Sequence, residues 1–169
     1  EPYLTADHQL MLEKPEQILV GVSLIMKAVN VTKGYIGIEN NKPDAIALMK
    51  EKAAKYPNIE IVPLKVQYPQ GGEKQLIDAV IGRQVPNPPA IPIAVGAVVQ
   101  NVGTAYAVYE AVIKNKPLFE RVVTVTGKAL ANPSNFLTRM GTPMSQLIEA
   151  AGGMPENTGK IIGGGPMMG

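Results

Sequence analysis

The hydrophobic positions change period several times along the chain, and each change marks an element. Over residues 14–30 the apolar residues Ile18, Leu19, Val22, Ile25, Met26 and Val29 recur every three or four positions. That spacing predicts one face of a helix, with Pro15 suited to its first turn. Residues 35–39 predict a short strand, Asn40 and Asn41 a turn or cap, and Pro43 the start of a second helix reaching residue 55. Over 59–66, Ile59, Ile61, Val62, Leu64 and Val66 stand among polar neighbours. This is a strand pattern in which Pro63 argues for an edge position or a bulge. Residues 67–72 form a turn-rich loop, after which Leu76, Ile77, Val80 and Ile81 predict another helical face. A stretch with four prolines, 84–92, excludes regular structure. Residues 93–99 are then a near-continuous apolar run expected to be a strand covered on both faces, and Ala105, Val108, Val112 and Ile113 restore helical spacing over 104–114.

Strands alternating with helices of about a dozen residues predict an α/β fold: a Rossmann-like, mostly parallel sheet with helices on both faces, through residue 117. Beyond it the rhythm changes. Residues 121–126 alternate, 132–135 turn, 136–139 can pair back, Thr142 is placed to cap a short helix carrying Met144, Leu147 and Ile148, and 160–162 supply a closing strand. This second unit, 118–169, is expected to be a small α+β domain of β-grasp type.

Composition narrows the function. Lys and Arg total 16 against 14 Asp and Glu, too even a balance for a nucleic-acid-binding surface. With no cysteine and one histidine, the 169 residues offer no disulfide, no iron–sulfur or zinc thiolate site and no His-rich metal centre. No apolar run reaches the roughly 18 residues of a membrane span, so the piece is expected to be soluble. It opens at Glu1-Pro2 and stops in the loop Gly163-Gly164-Gly165-Pro166-Met167-Met168-Gly169, so it reads as a segment of something longer.

Two loops carry the candidate chemistry. In Gln70-Gly71-Gly72-Glu73, between a strand and a helix, glycines admit a ligand to the backbone while free N–H groups and the helix dipole favour an anion such as a phosphate. The other reading is an ordinary loop with Glu73 offsetting the dipole. Gln100-Asn101-Val102-Gly103-Thr104 occupies the equivalent place after the apolar run, and its two carboxamides can donate to and accept from the edge of a planar heterocycle. Equally, Asn101 and Thr104 can simply cap the following helix. His8 has no nucleophile motif beside it and fits a structural role better than that of a general base. Gly163–Gly165 lacks the Lys of a phosphate loop and reads as a turn, and Met167 and Met168 as packing groups.

Taken in order, Glu1-Pro2-Tyr3-Leu4-Thr5-Ala6-Asp7-His8, Tyr68-Pro69-Gln70-Gly71-Gly72-Glu73-Lys74-Gln75-Leu76-Ile77, Val99-Gln100-Asn101-Val102-Gly103-Thr104 and Gly164-Gly165-Pro166-Met167-Met168-Gly169 resemble the RnfC family, whose members are subunits of the Rnf electron-transport complex. Its flavin domain is in turn similar to the NADH- and FMN-binding subunit of respiratory complex I. Thr124-Val125-Thr126-Gly127 and Gly141-Thr142-Pro143 through Gly152-Gly153 resemble the soluble-ligand-binding β-grasp module that follows that domain. The resemblance implies NADH-linked electron transfer through FMN, coupled to ferredoxin and to ion movement at the cytoplasmic face of a bacterial membrane, with the other Rnf subunits as partners.

By the same resemblance Tyr68, Gly71, Gly72 and Glu73 match the loop against flavin and nucleotide, Gln100, Asn101 and Thr104 the loop contacting the flavin, and Glu1 an acidic residue beside the nicotinamide. No residue is matched to a catalytic or metal-binding role. The complex I pattern has a second acidic residue at Gly72 and an Asn at Gln100. The family's main glycine-rich phosphate loop precedes the position of Glu1 and its iron–sulfur region follows Gly169, so the flavin site is expected to be incomplete here. The competing expectation is a non-catalytic module that binds a soluble ligand or docks a partner through the Pro-rich stretch and the Met-rich end.

Overall fold

The structure is a computed structural model describing residues 2–169. Eleven elements follow one another among the described residues: α1 (Ala6–Glu13), α2 (Pro15–Ala28), β1 (Gly34–Glu39), α3 (Pro43–Ala53), β2 (Ile59–Leu64), α4 (Glu73–Ile81), a 3-10 turn (Pro92–Val95), α5 (Val102–Lys114), β3 (Glu120–Val125), β4 (Ser134–Arg139) and α6 (Met144–Ala150). Pro15 and Pro43 sit in the first turns of α2 and α3, where the missing N–H costs nothing. Asp44 at the start of α3 and Lys50 and Lys52 at its end oppose the helix dipole.

β1 and β2 pair in parallel, Ile36 opposite Ile61 and Glu39 opposite Leu64, with α3 as the crossover. Paired residues of parallel strands share a face, so Ile36, Ile38 and Ile61 point together into a core formed with Leu10, Met11, Ile18, Leu19 and Met49. Ile18, Leu19 and Met49 are fully buried. The other face is covered by α4. There a Cβ on Gly37 would lie 2.7 Å from Leu64 Cδ1 and 2.9 Å from Leu76 Cδ1, so with glycine at 37 these two leucine ends pack directly over the strand. Helices therefore flank both faces of a parallel sheet, as the alternating pattern predicts.

The sheet is smaller than expected. Residues 93–99 do not form a strand: Pro92–Val95 make a 3-10 turn closed by Gly96 at φ 70°, and Ile93 is 63% exposed. Pro92 at the start and the left-handed Gly96 in the middle interrupt an extended run, and the Arg83 guanidinium donates to the Val95 carbonyl at 2.8 Å. Apolar continuity reported hydrophobicity there, not pairing.

β3 and β4 form a separate antiparallel pair, Val122 opposite Leu137. The expected closing strand at 160–162 is absent. Ile161 is 53% exposed, and glycines bracket a segment too short to pair; the turn that follows it closes through Gly169 N–H to the Gly165 carbonyl at 2.8 Å. Nor does Thr142 cap α6. Pro143 is the N-cap residue, while the Thr142 N–H closes the preceding turn on the Arg139 carbonyl.

α2 crosses α5 where Gly21 meets Ala105: a Cβ on Gly21 would stand 1.9 Å from the Ala105 carbonyl oxygen. Both sides of this contact are backbone, so no rotamer change can relieve it. Gly21→Ala is expected to destabilise the fold by about 2–3 kcal/mol, read as a lower denaturant midpoint at unchanged slope.

Candidate functional site

Tyr68, Gly71, Gly72 and Glu73 share the connection from the carboxyl end of β2 into α4. The backbone folds over itself through Gln70 N–H to the Gln67 carbonyl (2.8 Å) and Gly72 N–H to the Pro69 carbonyl (2.7 Å). Gly72 is the N-cap residue of α4, and no side chain caps that helix; Glu73 stands in its first turn. A Cβ on Gly71 would meet nothing within 4 Å, and its backbone is not left-handed. Neither packing nor conformation of this chain requires glycine at 71. Tyr68 is exposed and its hydroxyl donates to Met168 Sδ at 3.0 Å, joining this loop to the far end of the chain. Gln70 is the buried polar member of the loop, 7% exposed, accepting from Gln67 Nε2 at 3.2 Å.

Gln100, Asn101 and Thr104 lie where the loop after the 3-10 turn enters α5. Gln100 is exposed. Asn101 is the N-cap residue: its Oδ1 accepts the Gly103 N–H at 2.7 Å and its Nδ2 donates to Asp7 Oδ2 at 2.6 Å. The capping role left open by the sequence is thus real, and the carboxamide retains one N–H and one lone pair for a ligand. Thr104 Oγ1 accepts from Arg121 Nη2 at 3.3 Å. Among the described residues no hydrogen bond joins the loop around Gln70 to the one around Asn101. Asp7 stands in the opening motif, but nothing in the sequence ties it or Arg121 to this loop, because the contacts are 94 and 17 residues distant. Glu1, matched to the nicotinamide side, lies outside the described residues.

A shallow cleft of about 80 Å³ runs beside Asn101, lined by Asp7, Leu10, Tyr106, Glu110 and Arg121. Burial pushes the Tyr106 phenol up to about 12, helped by its hydrogen bond to Glu110 Oε1 at 3.0 Å. Lys116 bridges Glu110 (3.1 Å) and Glu120, and both carboxylates, Glu120 foremost, raise its pKa. The wall between α5 and β3 is thereby fixed as charged and neutral partners. A larger hollow of about 310 Å³ lies at the opposite, amino end of β2 beside Ser23, Lys27, Lys55 and Tyr56, and it holds none of the motif residues.

His8 on α1 is 2.8 Å from Asp44 on α3, and Asp44 Oδ1 also accepts the Ala45 N–H at 2.8 Å. The imidazole is engaged in tying two helices, the structural role expected of it. Among the described residues no group of three or more His, Cys, Asp or Glu could hold a metal ion, and no helix is long and apolar enough to cross a membrane.

Residues 1–110 match the family model of the Nuo51 FMN-binding domain. The chain belongs to that family. All the candidate loop residues fall within the matched part of the Nuo51 domain, and an SLBB domain model matches residues 122–169, the part holding β3, β4 and α6. The whole chain is 50% identical to the C subunit of the proton-translocating ferredoxin:NAD(+) oxidoreductase complex of Clostridium ljungdahlii, of which it covers 36%. It is 47% identical to the C subunit of the Na(+)-translocating complex of Acetobacterium woodii, of which it covers 38%. The chain thus spans little more than a third of these two relatives, and the similarity read from its motifs is borne out. Among solved structures, an NAD+-reducing NiFe-hydrogenase chain superimposes with a TM-score of 0.74 at 24% identity, over 89% of this chain and 31% of that one. It shares the fold.

Two outcomes test the geometry. Asn101→Ala removes the side-chain cap of α5 and is expected to cost about 1 kcal/mol in thermal unfolding, with Asn101→Ser retaining most of it. His8 foremost, then the Ala45 N–H, lowers the Asp44 pKa. That contribution to stability is therefore present above the unfolded carboxylate pKa and disappears as pH falls through the depressed value. Asp44→Asn is expected to flatten the acid limb of stability measured against pH.

Proposed function

We propose that this chain forms one wall of an FMN site in the NADH-linked electron-transfer subunit of an ion-translocating ferredoxin:NAD oxidoreductase complex of Rnf type. The observation that carries the reading is the entrance to α4. An uncapped helix N-terminus follows Gly71, where added side-chain atoms would meet nothing of this chain. Such an end offers backbone N–H groups and a favourable dipole to an anion, and an open glycine leaves room for it, so the residues fit a phosphorylated cofactor.

In this reading the amides at the start of α4 and the glycines before them bind the nucleotide's anionic part. Tyr68 flanks it, Glu73 sets the charge at the helix entrance, and Gln100, Asn101 and Thr104 meet the flavin edge with neutral donors and acceptors. Glu1 serves the nicotinamide side. FMN, when bound, supplies the redox chemistry, taking up hydride as an electron pair and passing electrons on singly, while the protein binds and orients. The family's main glycine-rich loop for the flavin phosphate and its iron–sulfur clusters belong to parts of the subunit other than these residues, which contain no cysteine and add a second anion contact at α4. We place the boundary between the flavin unit, 1–117, and the β-grasp unit, 118–169, at Pro117, and the intact subunit as a peripheral member of a membrane complex on its cytoplasmic side.

A docking role is favoured by different residues: Ile91 and Ile93 beside the prolines and Met168 at the end are each more than half exposed. Visible absorbance separates the readings. The intact subunit is expected to be yellow and to bleach with NADH, whereas this chain alone binds FMN with a dissociation constant above about 1 µM. Sub-micromolar affinity of the chain would place the whole flavin site within it. In the intact subunit Asn101→Ala is expected to lower flavin occupancy; unchanged occupancy with impaired association would make the docking role primary.

A further inference from the structure

We propose that the β3–β4 unit supplies the N-terminal cap of α1 and through α1 holds Asn101 in place, making Thr124 and Asn135 positioning residues for the flavin site; this rests on the function proposed above and deepens it. Helix α1 begins after Thr5, a residue type that ordinarily caps its own helix. Here it does not. Thr5 makes no side-chain cap bond to α1, and its hydroxyl faces Asn135 instead, 3.0 Å from Nδ2 and 3.1 Å from Oδ1.

The cap comes from β3. Thr124 Oγ1 accepts both the Thr5 N–H (3.2 Å) and the Ala6 N–H (3.0 Å), two of the donors a helix start leaves without partners, and gives its own proton to Asn135 Oδ1 at 2.7 Å. Both lone pairs and the hydroxyl hydrogen are engaged, so a residue without that hydroxyl forfeits three bonds at once. One position beyond Ala6, Asp7 accepts from Asn101 Nδ2 at 2.6 Å and so decides which end of the carboxamide faces Gly103. On the same strand as Thr124, Arg121 reaches Thr104 directly. One strand of the second unit therefore bears on both polar residues at the start of α5, through α1 on one side and by its own guanidinium on the other.

The test uses the intact subunit and the pair Thr124→Val, nearly isosteric but without the hydroxyl, and Thr124→Ser, which keeps it. In Thr124→Val, amide hydrogen exchange in the first turn of α1 is expected to quicken about fivefold and the FMN dissociation constant to rise by about the same factor, the change one lost cap produces. Turnover of the flavin-loaded subunit stays within about twofold. Thr124→Ser restores both exchange and affinity. Wild-type exchange in Thr124→Val overturns the cap; faster exchange with unaltered FMN affinity overturns the positioning role and leaves a plain contact. A wild-type subunit that takes up no FMN defeats the proposed function and the positioning role together, while the exchange measurement still decides the cap. If Thr124→Val fails to fold, Asn135→Ala on β4 gives the same two readouts with the same expected signs.

Discussion

The close approach of α2 and α5 at Gly21 and Ala105 is the constraint on which the rest depends. It brings α5 against the layer of helices that covers Ile36, Ile38 and Ile61, and so fixes where the first turn of α5 lies. Asn101 and Thr104 stand at that turn. The position of the candidate flavin contacts is therefore set about as firmly as the core, although the residues themselves lie at the surface. A two-stranded sheet is a thin support for a ligand site, and this one is stiffened by helices on both faces and by crossing helices beyond one of them.

Polar contacts then add direction. The core holds α5 at its depth but says nothing about which way a carboxamide turns. Asp7 and the Gly103 amide settle that for Asn101, and Arg121 settles the Thr104 hydroxyl. The Lys116 bridge between Glu110 and Glu120 holds the turn from α5 into β3 by the same kind of contact, with a neutral Tyr106 alongside. Apolar burial places the elements, and a few hydrogen bonds between residues far apart in sequence aim the side chains.

Much of this is legible from the chain. The helical faces of α2 and α4, the proline starts of α2 and α3, and the β1–β2 pair follow from period and punctuation, because burial on one side of each element imposes the period directly. Helix α1 leaves no such mark, since Leu10 and Met11 are its only buried residues and eight residues show no sustained period. The run at 93–99 misleads because fully apolar stretches carry no period, and the deciding facts are Pro92 and the left-handed Gly96. At the site, the loop residues are visible as motifs. The pairings that link them to Asp7, Arg121, Thr124 and Asn135 are not, because a hydrogen bond between distant positions leaves no trace in local spacing.

The borrowed cap on α1 also bears on how the molecule is made. Thr124 lies 118 positions after Ala6, so at synthesis rates of about 5–20 residues per second helix α1 waits on the order of ten seconds for the strand that completes it. Its first turn frays in that interval, since a short helix with open donors is marginal by itself. Helix α1 is thus completed only after a strand made more than a hundred residues later, and its settling waits on the second unit.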